Sequence, residues 1–231
     1  MSRRAPPGSR RTAAVRVKTA RGRKPSSTRW LQRQLNDPYV RAAEDAGYRS
    51  RAAFKLIELD ERFGLLKGAL RVLDLGAAPG GWSQVARQRL AAGASVTAVD
   101  ISPLQPLAGV TVLQLDALDG ASLAAMCEAL GGAADLVLSD MAAPSTGHAG
   151  TDHIRVMALC EAALDIAEAM LGENGAFVAK VLKGGTERQL LDRLKRGFAK
   201  VRHAKPPASR ADSAEVYVVA QGFRGAAPAS G

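Results

Sequence analysis

The chain has 231 residues, of which 47% are apolar and only 4% aromatic, so it can bury one full core built mainly from Ala, Leu and Val. No apolar run approaches the roughly 18 residues that cross a bilayer, and no apolar signal segment opens the chain. Two cysteines supply neither a disulfide framework nor a metal-site spacing. These features exclude a membrane-spanning or disulfide-rich secreted class, and we expect a cytoplasmic, monomeric protein without a structural metal.

The net charge of +10 is unevenly distributed along the chain. Residues 1–29 hold ten Lys or Arg and no acid, which leaves 22 basic and 22 acidic residues in the remainder. Within that remainder, residues 90–179 contain one basic residue and eleven acids, whereas residues 180–210 contain ten basic residues and two acids. Two separate basic regions favour a polyanionic partner. A nucleic acid is favoured over a membrane, because no amphipathic apolar face accompanies the charges of the tail.

The composition divides the chain into two tails and one domain. Residues 1–27 are rich in Arg, Pro, Gly, Ser and Thr, with almost nothing to bury, and we expect a disordered basic tail. The same composition is typical of organellar transit peptides, which leaves a bacterial and an organellar setting both open. Residues 28–224 are expected to form a single domain, followed by a short disordered tail at 225–231.

The first part of the domain has a helical pattern. Helical periodicity begins at Trp30, a helix start is predicted at Asp37-Pro38, and a second helix is predicted with Ser50 as its cap. Arg51 and Lys55 are four residues apart and therefore share a face of that helix. Because like charges at this spacing repel, we expect an anionic group nearby.

The rest of the domain alternates strands and helices. This order predicts a Rossmann-like α/β fold, with a mostly parallel seven-stranded sheet and helices on both faces. In such sheets a ligand binds beyond the carboxyl ends of the strands, so the residues at those ends are the candidates for function. The predicted strands are 72–75, 95–100, 110–115, 136–140, 176–182, one around Val201, and 215–220, and the predicted helices are 82–90, 122–130, 153–171 and 186–198.

A turn of small residues follows the first strand, in the stretch from Asp74 through Gly76, Gly80 and Gly81 to Trp82. Small residues at a strand-to-helix turn let a ligand approach outward-pointing amide groups. The spacing G-x-x-x-G-G is not the G-x-G-x-x-G of NAD enzymes. It is similar to the first motif of S-adenosylmethionine (SAM)-dependent methyltransferases, and the nearby acid suits the cationic SAM better than a phosphate. Trp82 has a structural alternative, since a large aromatic in a first helical turn can simply join helix to sheet.

Acids close three of the following strands. Asp100 lies where an acid accepts the ribose hydroxyls of a bound nucleoside, and Asp116 is placed to accept from an adenine amino group. Each has an alternative role as a turn or cap residue. Asp140 ends the fourth strand in Asp-Met-Ala-Ala-Pro, without the aromatic that enzymes methylating exocyclic amines carry there. A base amine is therefore a less favoured substrate.

Two charged residues occupy strand positions where burial is expected. Lys180 is flanked by Val and Leu in the fifth strand, and Glu215 precedes Val-Tyr-Val-Val in the last. Burying either charge is costly unless an opposite charge meets it. Snorkelling at a strand end is the alternative for Lys180. With Lys55 and Asp140, these residues make a candidate catalytic set of two cations and two anions.

Five ordered stretches together resemble the RrmJ/FtsJ-type ribosomal RNA 2′-O-methyltransferases. They are Arg49-Ser-Arg-Ala-Ala-Phe-Lys55-Leu, Asp74-Leu-Gly-Ala-Ala-Pro-Gly-Gly-Trp-Ser-Gln84, Ser139-Asp-Met-Ala142, Val178-Ala-Lys180-Val and Ser209-Arg-Ala-Asp-Ser-Ala-Glu215-Val-Tyr. The resemblance implies SAM as cofactor and ribosomal RNA, or the large ribosomal subunit, as partner. It also implies methylation of a ribose 2′-hydroxyl, in particular of a uridine in large-subunit RNA.

The resemblance also implies residue roles. The family's catalytic Lys-Asp-Lys-Glu tetrad falls on Lys55, Asp140, Lys180 and Glu215, and its SAM contacts fall on Gly80, Trp82, Asp100, Asp116 and Asp140. In this scheme Lys180 is held by Asp140 and Glu215 and orients the 2′-hydroxyl. Arg49 and Arg51, with the basic block at 180–210, would hold RNA phosphates without reading sequence.

Two alternatives stay open at this point. An NAD-dependent oxidoreductase shares the fold, although its G-x-G-x-x-G fingerprint is missing here. A non-catalytic RNA-binding or ribosome-assembly factor would be expected if the tetrad were incomplete, and all four of its residues are present.

Overall fold

A seven-stranded sheet forms the centre of the fold in the computed structural model of the chain, which describes residues 15–16, 22, 25–144, 146–182 and 188–225. The strand order is β3-β2-β1-β4-β5-β7-β6. Strands β1 to β5 are parallel, and only β7 runs antiparallel to its neighbours β5 and β6. The predicted mostly parallel seven-stranded sheet is therefore confirmed. The strands are β1 Arg71–Leu75, β2 Ser95–Asp100, β3 Val110–Gln114, β4 Ala134–Ser139, β5 Leu171–Leu182, β6 Phe198–Ala204 and β7 Glu215–Phe223.

Seven helices are described around this sheet. Helices α1, α2 and α3 precede β1 in the chain, and the other four lie between strands. Their bounds are α1 Pro25–Leu35, α2 Pro38–Asp45, α3 Ala52–Phe63, α4 Gly81–Arg89, α5 Ser122–Leu130, α6 Ala149–Met170 and α7 Arg188–Gly197. Asp37 caps α2 by accepting from Tyr39 N, as the Asp-Pro pair predicted.

Both faces of the sheet are covered, as the near-continuous apolar strands require. One face packs against α5, α6 and α7, with Phe177 and Leu164 fully buried in that core. The other face packs against α3 and α4 and buries Val178 and Leu138. Because side chains alternate along a strand, Lys180 falls on the same face as Val178, beneath α3. This alternation positions the lysine of β5 next to the helix that carries Lys55.

Two expectations for the N-terminal part need correction. Helix α1 begins at Pro25, inside the stretch predicted to be disordered, because its amphipathic pattern extends further toward the N-terminus than Trp30. Ser50 does not cap α3, since that helix has Arg51 at the cap position and no side-chain cap hydrogen bond. Most of the predicted tails, and the start of the predicted helix 186–198, lie outside the described residues.

Candidate active site

The turn after β1 folds against Met141, two residues beyond the end of β4. The amides of Gly76 and Ala77 both donate to Val99 O, at 2.9 and 3.1 Å. Gly76 has a φ of +72°, and a Cβ there would lie 2.7 to 2.9 Å from side-chain and backbone atoms of Met141. Only glycine therefore fits, which keeps the backbone of this turn open at the carboxyl ends of β1 and β4, where the strand order reverses.

Asp74 lies buried beneath this turn, with its side chain turned away from solvent. One carboxylate oxygen accepts from Ser83 Oγ at 2.6 Å, and the other has no hydrogen-bond partner among the residues that the structure describes. Burial raises the pKa of Asp74 to about 7, although the Ser83 hydrogen bond lowers it. An unpaired carboxylate oxygen at this position suits a cationic ligand group such as the ammonium of SAM.

A cleft of about 470 Å³ opens beyond the carboxyl ends of β1 to β4. It brings together four of the residues predicted to contact the cofactor, which line it along with apolar side chains from three loops. Ile101 and Leu118 are 68% and 54% exposed at its surface, and such exposed apolar side chains suit a flat base. The lining consists of Gly76, Ala78, Val99, Asp100, Ile101, Ser102, Leu115, Asp116, Ala117, Leu118, Asp140, Met141, Ala142, Pro144 and Leu159.

Asp100 and Asp116 face the cleft and hold its loops at the same time. Asp100 accepts from Ala78 N at 2.9 Å and from Ser102 N at 2.7 Å, so it joins the end of β2 to the glycine turn. Asp116 accepts from Leu118 N at 2.9 Å. The turn-acid alternative therefore describes part of their role. A carboxylate oxygen has a second lone pair, so both residues retain capacity for ligand hydroxyl or amino groups.

Four of the residues predicted to contact the cofactor do not line this cleft. They are Asp74, Gly80, Gly81 and Trp82. The Trp82 side chain is buried, donates from its ring nitrogen to Ala52 O at 2.8 Å, and packs against Tyr217 with ring centroids 5.6 Å apart. It thus joins α4 to α3 and the sheet, which is the structural alternative. The backbone at Gly81 and Trp82 opens α4, where amide groups lack helical partners, so any ligand contact here would be made by backbone atoms.

Lys180 and Asp140 form the inner half of the predicted tetrad. Lys180 Nζ donates to Asp140 Oδ1 at 2.9 Å and to Asp140 O at 2.8 Å. Lys180 is only 6% exposed, so it does not snorkel to solvent. Asp140 also lines the cofactor cleft, which places the lysine one residue away from that cavity.

Lys55 and Glu215 form the outer half. Lys55 Nζ lies 3.2 Å from Glu215 Oε2 and 3.7 Å from Asp140 Oδ2. The anionic groups expected near Arg51 and Lys55 are thus present, since Arg51 Nε lies 2.9 Å from Asp37. The tetrad is assembled in a different order from the one inferred, because Glu215 pairs with Lys55, and among the described residues Lys180 donates only to Asp140. The reason is the sheet register, which places Glu215 opposite Leu182, beyond Lys180.

Tyr217 completes this arrangement and was missed by the sequence reasoning. Its hydroxyl donates to Asp140 Oδ1 at 2.7 Å and accepts from Lys55 Nζ at 3.0 Å. In the antiparallel β5–β7 pair, Tyr217 lies directly opposite Lys180. A signal was available, because Tyr217 is two residues after Glu215 and therefore shares its face of the strand. We call Lys55, Asp140, Lys180, Glu215 and Tyr217 the charged cluster.

The electrostatics of the charged cluster keep Asp140 ionised. Burial alone would raise the pKa of Asp140, but Lys180 and Lys55, with the Tyr217 hydrogen bond, hold it below its ordinary value. Burial, Asp140 and Glu215 together raise the pKa of Tyr217 well above its usual range, so it remains a neutral donor. The cluster therefore presents two lysines around one partly buried carboxylate, which is an arrangement that can hold and polarise a substrate hydroxyl.

Arg49 and Arg51 do not have the same environment. The Arg49 guanidinium donates to the carbonyl oxygens of Gln105 and Pro106, each at 2.7 Å, and to Pro79 O at 3.4 Å. It thus fastens the β2–β3 loop to the glycine turn, and its donors are largely used inside the protein. Arg51, in contrast, lines a second pocket next to Lys55. Of the two, only Arg51 is placed to meet a phosphate.

Within the described ranges, no group of three or more His, Cys, Asp or Glu is arranged to hold a metal ion. No helix in the described part of the chain has the length and apolar character that a membrane span needs.

The comparisons with known proteins decide the family. A sequence model of the FtsJ-like methyltransferases matches residues 48–223. The chain belongs to this family. It is an enzyme of the methyltransferase class, as the sequence motifs predicted, and the oxidoreductase and non-catalytic alternatives are not favoured.

Similar proteins support the same assignment. The chain is 60% identical to "Ribosomal RNA large subunit methyltransferase E" of Paramagnetospirillum magneticum, a match that covers 95% of this chain and 92% of the relative. It is 61% identical to the protein of the same name from Zymomonas mobilis, covering 92% and 96%. Among solved structures, a chain described as a ribosomal RNA methyltransferase of Plasmodium falciparum aligns with a TM-score of 0.69 and 30% identity, covering 78% of this FtsJ-like chain and all of the other.

Proposed function

We propose that this FtsJ-like enzyme uses SAM to methylate a ribose 2′-hydroxyl of large-subunit ribosomal RNA, with uridine as the modified nucleoside. The observation that carries the proposal is the Lys180–Asp140 pair, in which the lysine is buried, and which borders the cofactor cleft and joins a second lysine, Lys55. The choice of large-subunit ribosomal RNA as substrate rests on the names of the similar proteins. In this role the protein would act as a cytoplasmic monomer.

The residues around the cleft fit SAM as the cofactor. Asp74 keeps one buried carboxylate oxygen unpaired for a cationic group, and the Gly76 turn leaves no room for a side chain between β1 and Met141. Asp100 and Asp116 provide carboxylate oxygens along the cleft for the ribose hydroxyls and the adenine amino group. SAM supplies an electrophilic methyl group there. The absence of an aromatic after Asp140 supports an oxygen acceptor over a base amine.

Lys180 is the residue that would act on the hydroxyl. An ammonium group has three N–H donors, and Asp140 accepts two hydrogen bonds from Lys180 through its backbone oxygen and its carboxylate. One donor remains for the substrate. It would orient the 2′-hydroxyl and stabilise the negative charge that develops on its oxygen, while solvent water would take up the proton that the hydroxyl releases. Asp140, kept ionised, fixes the position of the lysine, and Lys55 with Tyr217 fixes Asp140 from the other side.

A methylation assay on large-subunit RNA tests the proposal. Wild-type protein, SAM with a labelled methyl group and unmodified RNA, either as a transcript or as isolated large subunits, should yield one labelled 2′-O-methylnucleoside on digestion and mass spectrometry. Lys180→Met removes the charge and keeps most of the stem volume, and it should lower kcat by about 10²-fold or more, the scale of losing one electrostatic donor. SAM affinity, measured by calorimetry, should stay within about threefold.

The matched control is Lys67→Met, which removes an exposed lysine between α3 and β1, at the amino end of the sheet. Its kcat should equal that of the wild type. A Lys180→Met protein that binds SAM and methylates RNA at the wild-type rate would refute the role of Lys180. Labelled base-methylated nucleosides in place of 2′-O-methyl products would refute the proposed acceptor.

A further inference from the structure

A second pocket, of about 300 Å³, lies against the outer half of the charged cluster. Lys55 and Glu215 form part of its wall, whereas Asp140 lines the cofactor cleft. The charged cluster therefore stands between two cavities, with the cofactor cleft on one side. A ribose within an RNA chain carries phosphates on its 3′ and 5′ oxygens, so if its 2′-hydroxyl reaches Lys180, the second cavity is open to the backbone beside that ribose.

Three arginines make this pocket basic. Arg33 comes from α1, Arg51 from the start of α3, and Arg210 from the loop between β6 and β7. With Lys55 they supply four positive charges, against the two acids of the wall, Asp212 and Glu215. The three elements are far apart in sequence, so the fold itself assembles the arginines.

A buried aspartate holds two of these arginines in place. Asp37 Oδ2 lies 2.9 Å from Arg51 Nε and 3.1 Å from Arg210 Nε, and its other oxygen caps α2. Contact through Nε leaves the two terminal nitrogens of a guanidinium to face elsewhere. Arg51 uses one of them on Ala208 O, which further fixes the loop that carries Arg210.

Donors remain for a ligand. Arg210 has a terminal nitrogen, Nη2, that is buried without a hydrogen-bond partner among the described residues. Arg33 is exposed, and it makes no hydrogen bond or ion pair with another residue that the structure describes. The planar fork of arginine matches the oxygens of a phosphate, and charge-assisted hydrogen bonds of this kind are among the stronger ones in proteins.

We propose that Arg33, Arg51 and Arg210 form a phosphate-binding subsite that holds a backbone phosphodiester of the RNA beside the target ribose. The inference rests on the proposed function, since it takes RNA as the substrate. It extends the site to Arg33, which precedes residues 48–223 matched by the family model. Asp37 acts as a positioning residue, and the subsite contributes to RNA binding without contacting SAM.

The test compares single charge removals in the full-length protein. Arg33→Gln and Arg210→Gln remove a charge from the subsite, and Lys67→Gln removes one from an exposed site at the amino end of the sheet. Filter binding of a large-subunit RNA transcript at several salt concentrations gives Kd and its salt slope, steady-state methylation gives kcat and KM, and calorimetry gives the SAM Kd. Each arginine variant should raise the RNA Kd by about three- to tenfold at low salt and reduce the magnitude of the salt slope by about one. Lys67→Gln should stay within about twofold, and all SAM affinities should be unchanged.

Arg210→Gln disturbs the ion pair with Asp37 and could therefore lower stability. Arg33→Gln changes an exposed side chain, so a loss of RNA binding in that variant is not explained by misfolding. Arg210→Lys keeps the charge and loses the planar fork, and an RNA Kd between those of wild type and Arg210→Gln supports phosphate recognition. If wild-type protein methylates the RNA and both glutamine variants bind it like Lys67→Gln, the subsite is wrong and the proposed function stands. If wild-type protein transfers no methyl group to RNA, the proposed function fails and the subsite with it.

Discussion

Replacing Tyr217 by Phe removes one oxygen atom from the centre of the charged cluster. The hydroxyl donates to Asp140 at 2.7 Å and accepts from Lys55 at 3.0 Å in a fully buried position. Both partners keep another contact, because Asp140 Oδ1 still accepts from Lys180 at 2.9 Å and Lys55 still meets Glu215 at 3.2 Å. A hydrogen bond to a charged group contributes about 1.5–3 kcal/mol, so with two bonds lost and two contacts retained we expect a destabilisation of about 2–3 kcal/mol.

This loss should be visible in stability and in rate. At about 2–4 °C per kcal/mol for a chain of this size, Tyr217→Phe should lower Tm by about 4–12 °C in a thermal melt. We expect kcat for methyl transfer to fall by about tenfold, because Asp140 and Lys55 lose the atom that holds them in register, whereas KM for SAM should not change. A variant with a free energy of unfolding within about 0.5 kcal/mol of wild type and an unchanged kcat would refute this reasoning.

The pH dependence of the same variant gives an independent check. The Tyr217 hydrogen bond is one of the causes that hold the pKa of Asp140 down, after Lys180 and Lys55 and against burial. A carboxyl group whose folded pKa is depressed stabilises the protein above its unfolded pKa of about 3.9, and this stabilisation is lost as the pH falls through the folded value. The stability difference between wild type and Tyr217→Phe should therefore be fully present at pH 7 and shrink below about pH 4 in urea unfolding. A difference that grows in acid would contradict the assigned cause.

Three further predictions concern the cofactor cleft and the tail. Because the pKa of Asp74 is about 7 and a cationic ligand favours its ionised form, the SAM Kd should rise up to about tenfold between pH 8 and pH 6 in calorimetry, and Asp74→Asn should remove this dependence. The stability that the protonated form of Asp74 confers is present below about pH 4 and is lost as the pH rises through about 7. Asp74→Asn should therefore make the free energy of unfolding less dependent on pH between about 4 and 7. Arg49→Ala should weaken SAM binding by about three- to tenfold through release of the β2–β3 loop and leave the RNA Kd unchanged, and the opposite pattern would mean that Arg49 binds phosphate after all. Deleting residues 1–21 should weaken RNA binding mainly at low salt, while lost SAM binding would contradict a purely electrostatic role for the tail.

The strands were predictable because their pattern is strong and local. All of them except β6 contain a short apolar run, and β2 begins and ends at the predicted residues 95 and 100. Boundaries were harder where pairing with a neighbouring strand sets them and the local pattern does not. Strand β5 begins at Leu171, five residues before the predicted 176, because the chain enters it directly after α6, and Ala134 of β4 pairs with Leu171 before the register shifts. That pairing depends on a neighbouring strand, which local periodicity does not report.

The candidate site was predictable as a set of residues but not as a set of contacts. Lys180 and Glu215 are conspicuous because a charge in an apolar strand demands a partner. Which partner it finds depends on the register of β5 against β7, and that register pairs Lys180 with Tyr217 and moves Glu215 outward to Lys55. The same reason explains Arg49, since nothing in the local sequence shows that carbonyl groups near residue 105 will absorb its donors.

The position of Asp140 explains why the site needs two lysines. Partial burial at the cleft raises the pKa of a carboxyl group, and a protonated Asp140 would bind the Lys180 ammonium much less strongly. A single lysine would neutralise it, but that lysine would then have no excess charge to offer a developing alkoxide. With Lys55 contributing a second cation and Glu215 balancing Lys55 toward the outer pocket, Asp140 stays ionised while Lys180 keeps a donor for the substrate. The Lys55–Glu215 pair thus helps to keep Asp140 ionised, so that Asp140 can hold Lys180. A phosphate in the arginine-lined pocket would bind on the Lys55–Glu215 side of the charged cluster.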